Sequence, residues 1–188
     1  MMNIEEQTIP TAYSRKVNVD STISYMGSLV TLLAKGSETN GRFALVEYNT
    51  KPGNEPPPHI HEWEHELYFL LEGTMRFYCE DKILDIGAGE VVFLPQGKAH
   101  AFTCTSNVVR ALIFVQATGK NAVGLDSYFL AMGEPAASMV LPEFAVTYAV
   151  DDPEHAIRVG ASAGIRILSR SEAQHALPQY PGLGVPVR

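Results

Sequence analysis

The sequence has few of the features that mark several large protein classes. Its 188 residues include two cysteines, Cys79 and Cys104, which are too few for a disulfide scaffold, and we interpret both as reduced residues of strands. No stretch approaches the ~20 consecutive apolar residues of a membrane-spanning helix. There is no internal repeat and no low-complexity tract, which excludes solenoid and fibrous architectures. The first ten residues are acidic and lack the apolar segment of a secretory signal, so we expect a cytoplasmic protein.

Positive charge is also scarce. The 14 Lys and Arg stand against 21 Asp and Glu, a formal net charge of -7, which argues against nucleic acid or a membrane surface as the main partner. Nine of the acids fall between residues 51 and 90, against three basic residues, and we interpret this stretch as a solvated acidic surface. No G-x-x-x-x-G-K-S/T and no G-x-S-x-G sequence occurs, which excludes the phosphate-binding loop and the α/β-hydrolase nucleophile.

The pattern between residues 28 and 116 is typical of β-structure. An apolar run at 29–33, a polar turn at 35–41 that ends in Asn-Gly, and a second apolar run at 43–48 predict a hairpin. Further strand-like runs recur between turns, at 66–71, 75–79, 83–86, 91–94, 99–105 and 108–116. Many short strands with turn signals every ~8–12 residues predict an all-β sandwich or barrel.

The sequence pattern changes from strand-like to helical after Gly119. Residues 125–132 and 152–163 have the pattern of helices, and the second begins with a capping Asp152 followed by Pro153. Ile165 and Ile167 indicate a last short strand. We therefore divide the chain into an arm at 1–20, a barrel at 21–120, and a C-terminal region at 121–188 in which helices, strand and an extended tail (178–188) pack on the barrel.

Three of the six histidines fall between residues 59 and 65. His59 and His61 share one face of a strand, because side chains of a strand alternate with period two. Glu66 opens the next strand, and His100 follows a Gly-containing turn about forty residues on. Two imidazoles, a carboxylate and a distant third imidazole form a sensible ligand set for a divalent first-row metal.

The glycines and prolines around these residues follow two spacing patterns. The first is G-x5-H-x-H-x4-E-x6-G, formed by Gly53, His59, His61, Glu66 and Gly73. The second is G-x5-P-x-G-x2-H, formed by Gly89, Pro95, Gly97 and His100. In both patterns the chain resembles the cupin superfamily, whose first motif allows three or four residues before the acid and whose second ends in an asparagine that is Cys104 here.

The resemblance implies a jelly-roll β-barrel with a few C-terminal helices and one divalent transition metal per chain. Fe, Ni, Mn, Co and Zn all suit the implied ligands, which are His59, His61, Glu66 and His100. If three residues, instead of four, separated His61 from the acid position of the first motif, that position would be occupied by His65 and not by Glu66. The spacing to Gly73 favours Glu66, and His65 and Cys104 remain alternative ligands or residues just behind the ligands.

Three functions are compatible with this resemblance. The resemblance is most detailed for single-domain cupins similar to quercetin 2,3-dioxygenase. It implies that Glu66 of this chain would bind the metal and also orient or deprotonate a substrate hydroxyl. A dioxygenase that acts on a small aromatic or polyketide-like substrate, with dioxygen as co-substrate, is therefore the favoured function. A non-redox isomerase, cyclase, dehydratase or lyase would use the same metal as a Lewis acid. A small-molecule-binding protein without catalysis is the third possibility.

Alternation along the strands predicts which side chains surround the metal. The inward-facing residues are Phe102 and Cys104, in step with His100, and Tyr68 and Leu70, in step with Glu66; Ala101 and Thr103 face outward. The candidate pocket walls are Tyr48, Tyr68, Phe93, Phe102, Phe114, Tyr128 and Met132. We expect the loop 52–58 and the helix near Tyr128 to form the entrance.

A homodimer is expected from the open edges of such sheets. An uncovered edge strand is an aggregation liability, and the N-terminal arm and the strand at 29–33 are candidates for covering edges across a twofold axis.

Overall fold

The computed structural model describes residues 10–143 and 152–183. In this part of the chain twelve strands and three α-helices form two antiparallel sheets with helices at one side. The strands are β1 (Thr22–Tyr25), β2 (Ser28–Ala34), β3 (Phe43–Thr50), β4 (His59–His61), β5 (Glu64–Glu72), β6 (Thr74–Cys79), β7 (Lys82–Gly87), β8 (Val91–Leu94), β9 (His100–Cys104), β10 (Val109–Ala117), β11 (Glu134–Pro135) and β12 (Ile165–Ile167). The helices are α1 (Leu125–Met132), α2 (Pro153–Ser162) and α3 (Arg170–Ala176).

The two sheets enclose one aromatic core. The larger sheet has the order β11-β1-β2-β3-β10-β5-β8, and the smaller has the order β12-β4-β9-β6-β7. Phe77 and Phe102 of the smaller sheet meet Tyr48 and Tyr68 of the larger one, with ring centroids 5.0–6.4 Å apart. The predicted all-β, jelly-roll architecture with C-terminal helices is confirmed.

The hairpin predicted from residues 29–48 is confirmed. Strands β2 and β3 pair antiparallel, with Leu29 opposite Asn49. Asn40 and Gly41 both have positive φ, 54° and 72°, which is the conformation that an Asn-Gly turn supplies at least cost. The six later strand predictions all correspond to strands β5 to β10.

The helices follow their capping signals. Helix α2 is capped by Asp152, whose Oδ1 accepts a hydrogen bond from the amide of His155 at 2.8 Å. Gly164 follows the end of α2 with a φ of 71°. Helix α3 was not predicted, although its capping box between Ser169 and Glu172 is visible in the sequence. The predicted extended tail has no regular structure over 178–183, and 184–188 lie outside the described residues.

The C-terminal region covers the outer face of the smaller sheet. Ala101 points away from the barrel interior, as its parity predicts, yet it is buried against Leu168 and Leu177. Thr103 is buried as well. The predicted outward orientation of Ala101 is therefore compatible with its burial, because α3 packs on the outside of this sheet.

The described part of the N-terminal arm, residues 10–20, contacts the barrel of its own chain. Arg15 donates to the carboxylate of Glu38 at 2.8 Å and to the carbonyl of Leu33 at 3.1 Å. The hydrogen bond from Arg15 lowers the pKa of Glu38 to about 2. Strand β2 pairs with β1 on one side and β3 on the other, so the prediction that residues 29–33 cover a sheet edge is wrong. None of the described helices has the length and apolarity to cross a membrane.

Candidate metal centre

Three strands bring the four predicted ligands together inside the barrel. Strand β4 contributes His59 and His61, β5 contributes Glu66, and β9 begins with His100, which pairs directly with His59. All four residues are at most 8% exposed. One ligand atom of each lies within 4.8 Å of those of the other three. The cluster could therefore hold a single metal ion.

The side chains already point at a common centre. The Nε2 atoms of His59 and His100 are 3.1 Å apart, and Oε2 of Glu66 lies 3.2 Å from Nε2 of His100 and 3.7 Å from Nε2 of His61. Nε2 of His61 and Oε2 of Glu66 are buried without a hydrogen-bond partner. A buried polar atom without a partner is costly, and a coordinated cation would satisfy both atoms. The donor set thus fits a divalent first-row metal.

The opposite edge of each imidazole ring is held by an acceptor. Nδ1 of His59 lies 2.8 Å from the carbonyl of Pro57, and Nδ1 of His100 lies 3.0 Å from the carbonyl of Lys98. Nδ1 of His61 lies 2.7 Å from the carboxylate of Glu64. Acceptors at Nδ1 place the ring proton there and leave Nε2 as a lone-pair donor facing the centre.

Burial and mutual charge set the protonation of the site. Burial, together with the neighbouring His100 and His61, lowers the pKa of His59 to about 3. Burial alone would raise the pKa of Glu66, but the charge of His61 and the nearby rings of His100 and His59 outweigh it and lower the pKa to about 2. Burial opposes the charged form of His61, yet Glu66 and Glu64 raise its pKa. The carboxylate therefore stays ionised and ready to bind a cation.

A small pocket opens on the ligands. Its free volume is about 30 Å³, room for roughly one or two waters, and its walls are mostly apolar. The hydroxyl of Tyr25 donates to that of Tyr128 at 3.1 Å. The lining residues are Tyr25, Tyr48, Pro56, Pro57, His59, Glu66, Tyr68, Leu125, Tyr128, Phe129, Ile165 and Ile167.

The structure places three of the seven candidate wall residues, Tyr48, Tyr68 and Tyr128, in this lining. Phe102 lies one layer behind, in edge contact with Tyr48 and Tyr68, and Met132 packs on the core away from the pocket.

Phe93 and Phe114 lie on the outer face of the larger sheet. Phe93 is 52% exposed and its ring lies against that of His65, while the ring of Phe114 lies against that of Phe43. Side chains alternate between the two faces of a strand. The inward positions are taken by Val92 and Leu94 on β8 and by Ile113 and Val115 on β10, so the two phenylalanines face outward.

The two alternative ligands stand apart from the cluster. Nδ1 of His65 accepts a hydrogen bond from the amide of Gln96 at 2.9 Å, on the face of β5 opposite to Glu66. Cys104 is a buried free thiol whose backbone amide donates to Glu55. Among the described residues, neither belongs to the group of potential ligand atoms around Glu66.

Two residues of the site were missed from the sequence. Glu64 is 0% exposed and contacts His61, and Tyr25 lines the pocket from a strand that was not predicted. Glu64 carries a recognisable signal, because it has the same parity as Glu66, Tyr68 and Leu70 on β5. Tyr25 has none, since it lies in the barrel region 21–120 but ahead of residue 28, where the first strand was predicted.

Comparison with known proteins agrees with this geometry. Quercetin 2,3-dioxygenase of Bacillus subtilis is 22% identical over 112 residues, which are 59% of this chain and 32% of that protein. The oxalate-binding protein of Thermotoga maritima is 33% identical over 76 residues, 40% of this chain and 63% of that protein. The chain thus spans about a third of the first relative and less than two thirds of the second.

Solved structures agree on the fold. The crystal structure of a protein from Thermotoga maritima, described as a predicted oxalate decarboxylase, superposes with a TM-score of 0.51 and 20% identity over 57% of this chain and all of that one. A family model described as the cupin domain matches residues 46–115, which contain all four candidate ligands. Residues 46–115 of this chain are therefore similar to the cupin domain.

Proposed function

We propose that the protein is a metal-dependent cupin enzyme, a quercetinase-like dioxygenase that acts on a small aromatic or polyketide-like substrate. The observation that carries the proposal is the convergence of three imidazole Nε2 atoms and the Glu66 carboxylate on one point that faces a tyrosine-lined apolar pocket. Such pockets suit organic ligands with few polar groups. The partial similarity to quercetin 2,3-dioxygenase supports the choice of reaction class.

The metal would be held by His59, His61, Glu66 and His100, with Fe, Ni, Mn, Co or Zn all compatible. A redox-active metal there would supply electron transfer between the substrate and dioxygen. The acceptors at the Nδ1 edges of the three imidazoles keep the rings from turning away from the metal position.

Glu66 has a second task in this proposal. A carboxylate that gives one oxygen to a metal retains a second oxygen, which can accept a hydrogen bond from a substrate hydroxyl. Because Glu66 lines the pocket as well as the metal cluster, that hydroxyl would lie next to the metal position. Glu66 thereby orients the substrate and takes up its proton as the hydroxyl ionises.

The pocket walls are mostly apolar, and the hydroxyl of Tyr128 offers a polar contact. Tyr25 donates to Tyr128, so the hydroxyl hydrogen of Tyr128 is left to point at a substrate oxygen. The pocket is too small for an aromatic ring system, whose sites measure ~300–1,000 Å³. We therefore expect substrate entry to widen the pocket, whose walls include Pro56, Pro57 and residues of α1.

The proposal predicts metal-dependent oxygen consumption. Protein purified from metal-supplemented cells should contain close to one divalent metal per chain, and it should consume oxygen only when a flavonol or smaller phenol from a test panel is added. Removal of the metal with a chelator should abolish the uptake, and the same metal added back should restore it. A metal-loaded protein that converts a substrate without oxygen uptake would overturn the dioxygenase and leave Lewis-acid chemistry.

We also propose that the protein is a homodimer that pairs through the outer face of the larger sheet. Five apolar side chains there are 36–52% exposed: Phe43, Phe69, Leu71, Val91 and Phe93. At roughly 180 Å² for each whole side chain, their exposed parts amount to about 400 Å². This is half of the ~800 Å² that each partner buries in a standard interface, and a self-complementary apolar patch suits a twofold axis.

Sedimentation tests the dimer. We expect a mass of twice the 20.6 kDa chain, and a Phe93→Glu variant should sediment as one chain because it places a charge in the patch. Ile157→Glu, at a similarly exposed position on α2, is the matched control and should stay dimeric. A one-chain mass for the unaltered protein would refute the dimer.

A further inference from the structure

Glu64 lies between a candidate metal ligand and the wall of the pocket. Its carboxylate is fully buried, and among the described residues its ion-pair partner is His61, not a lysine or arginine. One oxygen, Oε1, lies 2.7 Å from Nδ1 of His61 and accepts from the amide of Leu125 at 3.2 Å. The other oxygen, Oε2, accepts from the amide of Gly124 at 2.8 Å. Every contact of this carboxylate is therefore with a donor.

Two of these donors form the start of helix α1. Unpaired amides at a helix N-terminus carry a partial positive charge and stabilise an anion. Helix α1 in turn supplies Leu125, Tyr128 and Phe129 to the pocket wall. A single carboxylate thus connects a candidate ligand imidazole directly to the helix that forms part of the pocket wall.

The same helix has a second anchor that does not touch the ligands. The buried Asp126 accepts a hydrogen bond from the amide of Gly36 at 2.8 Å, which ties α1 to the turn between β2 and β3. Asp126 therefore offers a matched comparison, since it is a buried acid on the same helix with the same type of contact and no ligand partner.

We infer that Glu64 is a positioning residue that couples metal binding at His61 to the order of the pocket-wall helix α1. The inference rests on the proposed metal site. When Nε2 of His61 donates its lone pair to a cation, the Nδ1–H becomes a stronger donor, and its hydrogen bond to Glu64 tightens. Because this hydrogen bond fixes the carboxylate of Glu64 more firmly, the carboxylate holds the amides of Gly124 and Leu125 in place. Displacement of α1 by an entering substrate loosens the same contact and changes how His61 binds the metal.

Glu64→Gln tests the coupling with Co²⁺ as the probe. The amide keeps the size of the side chain but presents an NH₂ group to a site lined with donors. We expect the variant to bind Co²⁺ about 10–100-fold more weakly and to shift the visible absorption of the bound Co²⁺. In the unaltered protein Co²⁺ should slow hydrogen exchange at the amides of Gly124 and Leu125, and in the variant this added protection should be lost.

The control is Asp126→Asn, which should keep the Co²⁺ affinity within about twofold and the spectrum unchanged. If Glu64→Gln fails to fold, Glu64→Asp is measured instead, and its shorter reach should weaken Co²⁺ binding in the same direction. Equal losses in the Glu64 and Asp126 variants would show that Glu64 only supports the helix, and would overturn the coupling, as would unchanged binding in the Glu64 variant. Failure of the unaltered protein to bind Co²⁺ would instead refute the metal site itself.

Discussion

The His61→Ala variant is expected to lose at least about 100-fold in Co²⁺ affinity. Nε2 of His61 is buried, has no protein hydrogen-bond partner, and faces the carboxylate of Glu66 at 3.7 Å. Apparent binding energies of four-ligand protein sites are ~10–16 kcal/mol, so one ligand contributes about 3 kcal/mol, and each 1.4 kcal/mol is a factor of ten. Calorimetric titration of the metal-free protein measures the loss, and oxygen uptake should fall with it.

His65→Ala is the matched control for this experiment. His65 lies four residues away on the chain but accepts a hydrogen bond from Gln96 on the other face of the strand. Its replacement should leave Co²⁺ affinity within about twofold of the unaltered protein. If instead His65→Ala abolishes binding while Glu66→Gln does not, the shifted ligand set with His65 is the correct one.

Gly124→Ala should destabilise the fold strongly. A Cβ built on Gly124 overlaps the backbone carbonyl oxygen of Ala163 and lies 2.7 Å from its carbonyl carbon. Neither backbone can move freely, because Gly124 donates to Glu64 and Ala163 ends helix α2. Overpacking of this kind costs about 2–3 kcal/mol, which lowers the melting temperature by about 5–10 °C in a chain of this size.

Gly119→Ala provides the comparison, since a Cβ there meets nothing within 4 Å and the backbone has no positive φ. We expect its free energy of unfolding in urea to lie within about 0.5 kcal/mol of the unaltered protein. Equal stability of the two variants would contradict the close contact between Gly124 and Ala163.

Local signals account for the parts of the fold that could be predicted. The Asn40-Gly41 turn fixes the hairpin of β2 and β3, and Asp152 with Pro153 fixes the start of α2. The spacing of glycines and prolines around His59 and His100 carries information about backbone turns as well as ligands, so it predicted that distant strands meet. These features depend on a few neighbouring residues each.

Features that depend on tertiary packing escaped prediction. The burial of Ala101 requires α3, which arrives about seventy residues later in the chain. Phe93 was assigned to the pocket as an aromatic residue, but the inward parity of β8 belongs to Val92 and Leu94. The role of Glu64 depends on where the amides of α1 lie, and no local pattern in β5 indicates that.

The short strand β4 has a consequence for the order in which the protein matures. It carries His59 and His61, meets β9 through the single pair of His59 and His100, and is flanked on its other side by β12. Strand β12 is synthesised about a hundred residues after β4, and closing so long a loop is slow. A nascent chain that ends before Ile165 therefore contains all four ligands without the strand that holds two of them in register. We therefore expect the register of His59 and His61 to be fixed only once β12 has docked on β4.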